Sequence, residues 1–328
     1  RWDLLVRLGE KGFDSSAAAG AFTILLNITH TKPPEGHLLC GLDVSEERDA
    51  AAKARSLLDA EMTCVDQAGQ LENPDARVTL KDNSTEIILE NYAIANQGIK
   101  TGDDNRWRRM FWENISISGG WRKYQSTVTS ILHFSGRHNI IDWRYSGEGM
   151  PCPRPNNLCF GKRGVAVSQM RELFPTFYSG ELYDSNVGPI VPHDPSHLPA
   201  IWCFCSSPDY YTAVREIDQK LNVTNATLVK VPFDLDHWQK VAAEKYPHGL
   251  PEPYSNDPTQ WIFHGHPCRS VIWDEETKML ARGPLRTDGT VLHVAIARLL
   301  GYRWPAELDQ DMELADLQRE IVAESEKL

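Results

Sequence analysis

The sequence predicts a chain of mixed class, in which an α/β part is followed by a mostly β part and then by a helical, loop-rich part. Helix-type and strand-type segments alternate over residues 1–92. Segments rich in β-branched residues, punctuated by glycine turns, dominate residues 93–235. Helical segments separated by Pro-rich loops make up residues 236–328. With 41% hydrophobic residues in 328, the chain can bury a sizeable core.

Four segments of the first part predict its helices and strands. Ser15–Thr31, rich in Ala and then in Leu and Ile, predicts a buried helix, and His37–Val44 predicts a short apolar strand. Ser45–Gln70 predicts a second helix, with Ser45 as N-cap and acidic residues in its first turn. After a break at an Asn-Pro-Asp sequence, Ala76–Leu80 predicts another strand. Helix and strand in alternation are typical of α/β layering.

The second part is predicted to be mostly strands. Two β-branched segments flank a Gly119-Gly120 turn, and three more follow a proline-rich loop; the strands predicted in this way are Ile115–Ser118, Gln125–Phe134, Cys159–Ser168, Arg171–Phe177 and Gly180–Tyr183. Helices are predicted further on, at Asp209–Lys220, Asp236–Lys245, Thr287–Leu300 and Asp309–Leu328. Pro247–Gln260 is predicted to be a loop.

Charge is distributed unevenly along the chain. The formal net charge is −11, which argues against a simple nucleic-acid coat. Between Gln97 and Val165, however, eleven Lys and Arg residues stand against five Asp and Glu residues. Such asymmetry favours one surface for a polyanion and an acidic body elsewhere.

The segment Gln97–Glu113 has the most distinctive chemistry, reading Gln-Gly-Ile-Lys-Thr-Gly-Asp-Asp-Asn-Arg-Trp-Arg-Arg-Met-Phe-Trp-Glu. Its glycines allow close backbone approach, its Asp and Asn residues suit a turn or helix N-cap, and its arginines alternate with aromatic rings. A tight loop with cations and flat rings suits a phosphate backbone and its bases. A surface turn that leads into an amphipathic element, with solvated arginines, fits the same residues.

This motif, with the Phe-Trp-Glu behind it, resembles one found in large N6-adenine-specific DNA methyltransferases of the BREX or phage-growth-limitation kind and in Type IIG restriction–modification enzymes. In that family the motif marks the passage from the catalytic domain to the target recognition domain. Further similar blocks are Ser135–Met150 and Cys159–Ser168. The resemblance implies that residues 1–92 are the tail of a doubly wound methyltransferase domain, residues 93–235 a target recognition domain, and residues 236–328 a C-terminal extension.

The resemblance also implies which chemistry this chain lacks. The family binds S-adenosylmethionine at a Gly-rich loop and uses an Asn/Asp-Pro-Pro-Tyr/Phe motif, whose aromatic ring stacks on the flipped adenine. Neither motif occurs in the sequence, and Asn73-Pro74-Asp75 lacks the second proline and the aromatic residue. The chain begins with Arg1, so we expect a piece of a longer protein. We expect no cofactor and no methylation by this chain alone, with S-adenosylmethionine bound upstream in the parent protein.

The partners expected are therefore double-stranded DNA, the upstream catalytic part and other defence-system subunits. Lys100, Arg106 and Arg109 are expected to contact phosphates, and Arg137, His138, Asn139 or Arg144 to read bases in the major groove. The full set of candidate DNA-binding residues is Gly98, Lys100, Thr101, Gly102, Asp103, Arg106, Arg108, Arg109, Arg122, Lys123, Arg137, His138, Asn139, Arg144, Lys162 and Arg163. The alternative is a protein-interaction module with little DNA contact of its own.

The sequence gives only weak signals for metal binding and for nuclease chemistry. The metal candidates are His264-Gly-His266-Pro-Cys268 and Cys203-Phe-Cys205, with His193 and His197 as further options. The cysteine pair is too tightly spaced for a structural zinc site and suits alternate faces of a strand, and His264 and His266 also alternate, so ordinary loop and sheet residues are expected. Glu276-Thr277-Lys278 has the Glu-x-Lys spacing of a nuclease but is expected to be a charged turn. Seven scattered cysteines favour reduced thiols in the cytoplasm, and no apolar run is long enough to span a membrane.

Overall fold

A computed structural model describes residues 1–15, 20–71, 78–80, 87–114 and 116–328. They fall into two units, Arg1–Ile87 and Ile88–Leu328, which are described separately below. The mixed α and β class predicted from the sequence is confirmed. In the part of the chain that is described, no helix is both long and apolar enough to cross a membrane.

The described residues of the first unit form a four-stranded sheet and one α-helix. Its elements are β1 (Trp2–Gly9), β2 (Thr23–Ile28), β3 (Leu38–Asp43), α1 (Ala50–Asp59) and β4 (Thr63–Asp66). The strand order is β2-β1-β3-β4, with β1 parallel to β3 and the other pairs antiparallel. The predicted strand at His37–Val44 is confirmed as β3.

Two predicted helices in this unit are corrected. Within Ser15–Thr31, of which residues 16–19 lie outside the described residues, the chain forms β2 rather than a helix. The β-branched residues of this run pair with β1, and such long-range pairing overrides local helix preference. Helix α1 begins after Asp49, whose carboxylate accepts from Ala52 N at 2.8 Å, and it ends at Asp59, because the Thr63–Asp66 segment pairs with β3. The strand predicted at Ala76–Leu80 lies partly outside the described residues, and residues 78–80 are not in a strand.

Two of the seven cysteines are not reduced thiols. Cys40 on β3 and Cys64 on β4 lie directly opposite each other in the antiparallel pair and form a disulfide. The expectation of reduced cysteines is therefore wrong for this pair, because the pairing register that joins them cannot be read from their spacing. The other five cysteines are free.

The second unit contains the remaining elements. Its strands are β5 (Ala93–Ala95), β6 (Arg108–Met110), β7 (Trp121–Gln125), β8 (Asn139–Asp142), β9 (Gly164–Ser168), β10 (Pro175–Tyr178), β11 (Leu182–Tyr183), β12 (Val187–Pro192), β13 (Val271–Asp274) and β14 (Met279–Arg282). Its helices are α2 (Asp104–Trp107), α3 (Leu198–Cys205), α4 (Pro208–Ile217), α5 (Asn225–Val229), α6 (Leu235–Lys245), α7 (Gly289–Leu299), α8 (Pro305–Leu308) and α9 (Asp316–Ser325).

One sheet of this unit, in the order β10-β9-β12-β5, is antiparallel throughout. Its strands β9, β10 and β12 are buried along their whole length, and α3 packs against the sheet, with the ring centre of Trp202 4.1 Å from that of Phe177 on β10. Because Cys203 and Cys205 lie on this buried helix, the strand expected for them is wrong. An apolar segment that is buried all round favours a helix as readily as a strand.

The second sheet has the order β11-β7-β8-β6 and carries the candidate site. Ile140 and Ile141 on β8 point to its opposite faces. Ile141 packs with Ile99 and Trp107, whereas Ile140 packs with a C-terminal cluster around Trp261. The sheet is thus buried on both sides, and its loops and strand ends supply the exposed groups.

Several predicted boundaries in this unit are corrected. Strand β7 ends at Gln125, and residues 126–134, predicted to continue it, form a loop in which Val128 N binds Ser168 Oγ at 2.8 Å. The strand predicted at Cys159–Ser168 begins at Gly164. The helix predicted at Asp309–Leu328 begins at Asp316. The helices predicted at Asp209–Lys220, Asp236–Lys245 and Thr287–Leu300 are confirmed as α4, α6 and α7.

A half-buried histidine links the loop after β7 to the helical layer. His133 Nδ1 lies 2.9 Å from the Tyr254 hydroxyl and Nε2 lies 3.0 Å from the Tyr246 hydroxyl, and the ring stacks on Phe177. Burial lowers the pKa of His133 to about 4, with Glu275 as the opposing charge. The ring is therefore neutral in the folded chain above that pH.

We predict that this histidine makes stability depend on acid. Since the unfolded chain takes up the proton near pH 6.5 and the folded chain only near pH 4, stability should fall as the pH drops through that window, by at most about 3 kcal/mol. Urea unfolding of the wild type and of His133→Gln at several pH values measures this. The difference between the two should change between pH 7 and pH 4, and a constant difference would contradict the prediction.

Candidate nucleic-acid interface

The glycine-bracketed motif forms a loop that is fixed at both ends. A Cβ on Gly98 would lie 2.2 Å from the Asp184 carbonyl oxygen, so this close approach requires glycine. Ile99 N donates to Tyr183 O at 2.9 Å, and Ser185 N donates to Ile99 O at 3.0 Å. The start of the loop is therefore attached to the connection between β11 and β12.

A second loop runs beside the first. Lys100 and Cys152 exchange two backbone hydrogen bonds of 3.0 and 3.2 Å. Gly102 has a φ of +74°, and a Cβ there would lie 2.6 Å from the Pro151 ring. Residues 98–106 and 143–154 thus form one continuous surface, which we call the paired-loop surface.

The acidic residues of the motif are used inside the loop. Asp103 caps α2 by accepting from Arg106 N at 3.1 Å, so it is not free to contact DNA. Asp104 accepts from the hydroxyl of Thr101, which is buried, and from Arg108 Nη1 at 2.9 Å. Both carboxylates are exposed, but each already accepts a hydrogen bond from within the chain.

Arg108 points inward and joins three segments. Its guanidinium donates to Asp104, to Asp184 Oδ2 and to Asn139 Oδ1, each at 2.9 Å. It also lies over the ring of Tyr124, 5.1 Å from the ring centre. Because these acceptors belong to the chain itself, we assign Arg108 a role in stabilising the fold. Asn139 is 5% exposed, so the base contact expected for it is corrected.

Arg137 is likewise removed from base reading. It is 1% exposed, and its Nη2 donates to Phe177 O and Ser179 Oγ, both at 2.9 Å. Glu181 provides its counter-charge at 3.5 Å. Its Nε has no hydrogen-bond partner, but the whole side chain is enclosed, so Arg137 offers no donor to a base edge in this conformation, and the expectation from the sequence is corrected on that ground.

Four further candidates have partners or are partly covered. Lys123 pairs with Asp309 at 3.3 Å, and burial lowers its pKa; Arg163 pairs with Glu313. Burial and the charge of Arg108 lower the pKa of His138, which is half-buried. Arg144 donates to both oxygens of Asp142, but its side chain remains 62% exposed. Of the predicted base readers, Arg144 is the exposed one.

The remaining cations are open to solvent or half-buried and have no carboxylate partner among the residues that the structure describes. They are Lys100, Arg106, Arg109, Arg122 and Lys162. Arg106 lies over the ring of Trp107, 4.6 Å from the ring centre, and Cζ2 of the same ring lies 3.5 Å from the position of a Cβ on Gly149. Lys100 and Arg106 therefore stand on the paired-loop surface itself.

Sequence reasoning missed two residues of this region. Asp184 is the acceptor that turns Arg108 inward, and Tyr145, 84% exposed, is the most exposed aromatic side chain of the described part. A turn is signalled by the Asp-Ser-Asn sequence at residues 184–186, yet nothing in it names a partner 76 positions earlier. No local pattern distinguishes Tyr145.

The candidate metal and nuclease residues have structural roles. His264 Nε2 donates to Arg269 O at 3.0 Å, and its Nδ1 accepts from His266 N at 2.9 Å. Burial lowers the pKa of His264 to about 3. Within the described ranges, no group of three His, Cys, Asp or Glu residues could hold a metal ion. The Glu-x-Lys sequence lies in the β13–β14 hairpin turn, where Asp274 accepts from Glu276 N at 2.8 Å.

Comparison with protein-family models and with curated proteins finds no match for this chain.

We predict that Arg137 supports the fold and not DNA contact. Arg137→Met should lower the free energy of unfolding by about 3 kcal/mol, because it leaves Glu181 buried without its counter-charge. The matched variant Arg122→Met, on an exposed side chain of β7, should change it by less than about 0.5 kcal/mol. Chemical denaturation measures both. If Arg137→Met left the stability unchanged and weakened DNA binding, the prediction would be wrong and Arg137 would be a base-reading residue.

Proposed function

We propose that this chain is the DNA-recognising, C-terminal part of an N6-adenine DNA methyltransferase from a restriction–modification or phage-defence system. The family rests on the resemblance of the Gln97–Glu113 motif. Duplex binding rests on the charge arrangement of the paired-loop surface. The upstream part of the same protein would bind S-adenosylmethionine and flip the target adenine, in the cytoplasm.

One observation carries the DNA-binding proposal. In the loop at residues 98–106 two acids stand against two cations. Asp103 and Asp104 are exposed but accept hydrogen bonds from within the chain, whereas Lys100 and Arg106 are exposed and have no carboxylate partner among the described residues. Lys100 and Arg106 are therefore the charged groups of this loop that are open to a new anionic partner, although the whole chain carries −11. A rigid loop with outward cations positions a phosphate backbone with little loss of conformational entropy.

Base reading is proposed for a smaller set than the sequence suggested. Arg137 and Asn139 are enclosed, and His138 is half-buried. Arg144 is exposed and held in one orientation by Asp142, which pre-organises its free donors. An Arg pairs best with guanine in the major groove, where a bidentate contact contributes about 1–3 kcal/mol of discrimination.

The second candidate, a protein-interaction module, is favoured by helix α7. Leu292, Ile296 and Leu299 on this helix and Leu300 directly after it are 64%, 47%, 86% and 83% exposed. Their spacing places them along one side of the helix. An apolar stripe of this kind suits a protein partner. DNA binding and partner binding would then use different surfaces of the second unit.

We predict that Lys100→Ala/Arg106→Ala weakens duplex binding and lowers the slope of log K against log salt by about 2, because two phosphate contacts are lost. Fluorescence anisotropy with a mixed-sequence duplex at several salt concentrations measures the slope. The matched control is Lys240→Ala/Lys245→Ala, which removes the same charge from the exposed face of α6. Equal slopes for the two double variants would reject the paired-loop surface as the phosphate contact.

A further inference from the structure

An aromatic ring projects from the paired-loop surface. The side chain of Tyr145 is 84% exposed, whereas the nearby Trp107 is 8% exposed and Trp143 is half-buried. A single exposed tyrosine is common on protein surfaces. The backbone conformation at Tyr145, however, is uncommon.

Tyr145 and Ser146 both adopt left-handed backbone conformations, with φ values of 54° and 56°. Two adjacent residues with left-handed backbone conformations form a tight turn in which Asn-Gly is the preferred sequence. A bulky side chain there opposes the local preference of the chain, and such strain persists only when the surrounding structure imposes it. Strained residues of this type gather at binding sites.

The surrounding structure does impose this conformation. Trp143 N donates to Gly120 O at 2.9 Å, and Arg144 is held by Asp142 on the neighbouring side. After the turn, Met150 N donates to Gly147 O at 3.0 Å, just before the backbone bridge to Lys100. The Tyr145 ring is thus displayed by a loop that is fixed before and after it.

Tyr145 lies next to groups that the proposed function assigns to DNA. Arg144, the residue before it, is assigned to a base, and the loop that carries both residues borders the loop of Lys100 and Arg106, which are assigned to phosphates. Proteins that bind unstacked bases combine cations, which contact the phosphate backbone, with exposed aromatic rings, on which the bases stack. The two neighbouring loops offer both kinds of group. A tyrosine has a flat face for stacking and loses little conformational freedom when it does so.

We propose that Tyr145 stacks on a nucleobase that becomes exposed where the DNA is distorted or unpaired. The ligand is the face of a base, and any of the four bases would serve, because stacking does not depend on the hydrogen-bonding edge. Tyr145 would be a positioning residue that holds the strand in register while Arg144 reads a neighbouring base. This proposal rests on the proposed DNA-binding function.

The test compares two duplexes that differ in one feature, an unpaired bulge whose sugars either carry bases or are abasic. Binding of the full chain is measured for the wild type, Tyr145→Phe and Tyr145→Gly. We expect Tyr145→Gly to bind the base-bearing bulge about 5- to 150-fold more weakly and the abasic bulge as the wild type does. Tyr145→Phe keeps the ring and should bind both as the wild type does.

Thermal unfolding separates stacking from a structural role. Since glycine adopts the left-handed conformation without steric cost, Tyr145→Gly should unfold at the wild-type temperature or above it. Equal binding of the base-bearing bulge by wild type and Tyr145→Gly would overturn the stacking proposal and leave the proposed function standing. A lower unfolding temperature for Tyr145→Gly, with equal losses on both bulges, would also overturn it. Failure of the wild type to bind any of these DNAs would overturn the proposed function itself.

Discussion

The inward guanidinium of Arg108 is the interaction on which the candidate site depends. It connects Asp104 at the start of α2, Asn139 on β8 and Asp184 before β12, and so joins the glycine-bracketed loop to the sheet beneath it. The same contacts hold the largely buried carboxylate of Asp184 and give Asp104, whose side chain is 60% exposed, a cationic partner. In this cluster with both signs of charge, Asp104 is thereby paired, whereas Lys100 and Arg106 have no carboxylate partner among the described residues. Hydrogen bonds between charged groups in this half-buried position are stronger than their solvent-exposed counterparts.

Rigidity follows from the contacts around this network. Gly98 and Gly102 let the backbone approach Asp184 and Pro151 to distances that no other residue allows, and the Lys100–Cys152 bridge fixes the second loop against the first. A surface held in this way loses little conformational entropy on binding. It can also carry the unfavourable backbone at Tyr145, because the loops on either side determine that conformation. In this account the fold provides a fixed base and the exposed groups provide the chemistry.

Local signals in the sequence predicted the elements that depend on local physics. Helices α4 and α6 begin where Ser207 and Asp234 accept hydrogen bonds from the first turn, and both were predicted within a few residues. Pairing between distant segments was not predictable in the same way. Strand β2 carries helix-compatible residues and is fixed by β1, and residues 126–134 leave the sheet although their alternation suits a strand.

The same distinction applies to the candidate site. The motif located the loop and its cations, since both are consecutive in the chain. It could not show that Arg137 is enclosed, because Phe177, Ser179 and Glu181 lie about forty positions away in sequence. Tyr145 was missed for the converse reason, since its exposure and its left-handed backbone arise from contacts with Gly120 and the Lys100 loop. The type of a residue alone does not determine whether its side chain will be buried or exposed.

Hydrogen exchange of the whole chain, free and with a mixed-sequence duplex at low salt, tests the central claim most directly, because it reports which backbone amides the DNA covers. We expect slower exchange in residues 98–106 and 143–154 when DNA is present, with helix α7 unchanged. Slower exchange confined to other segments, or none under conditions where the duplex is bound, would contradict the claim that the paired-loop surface is the DNA-binding surface.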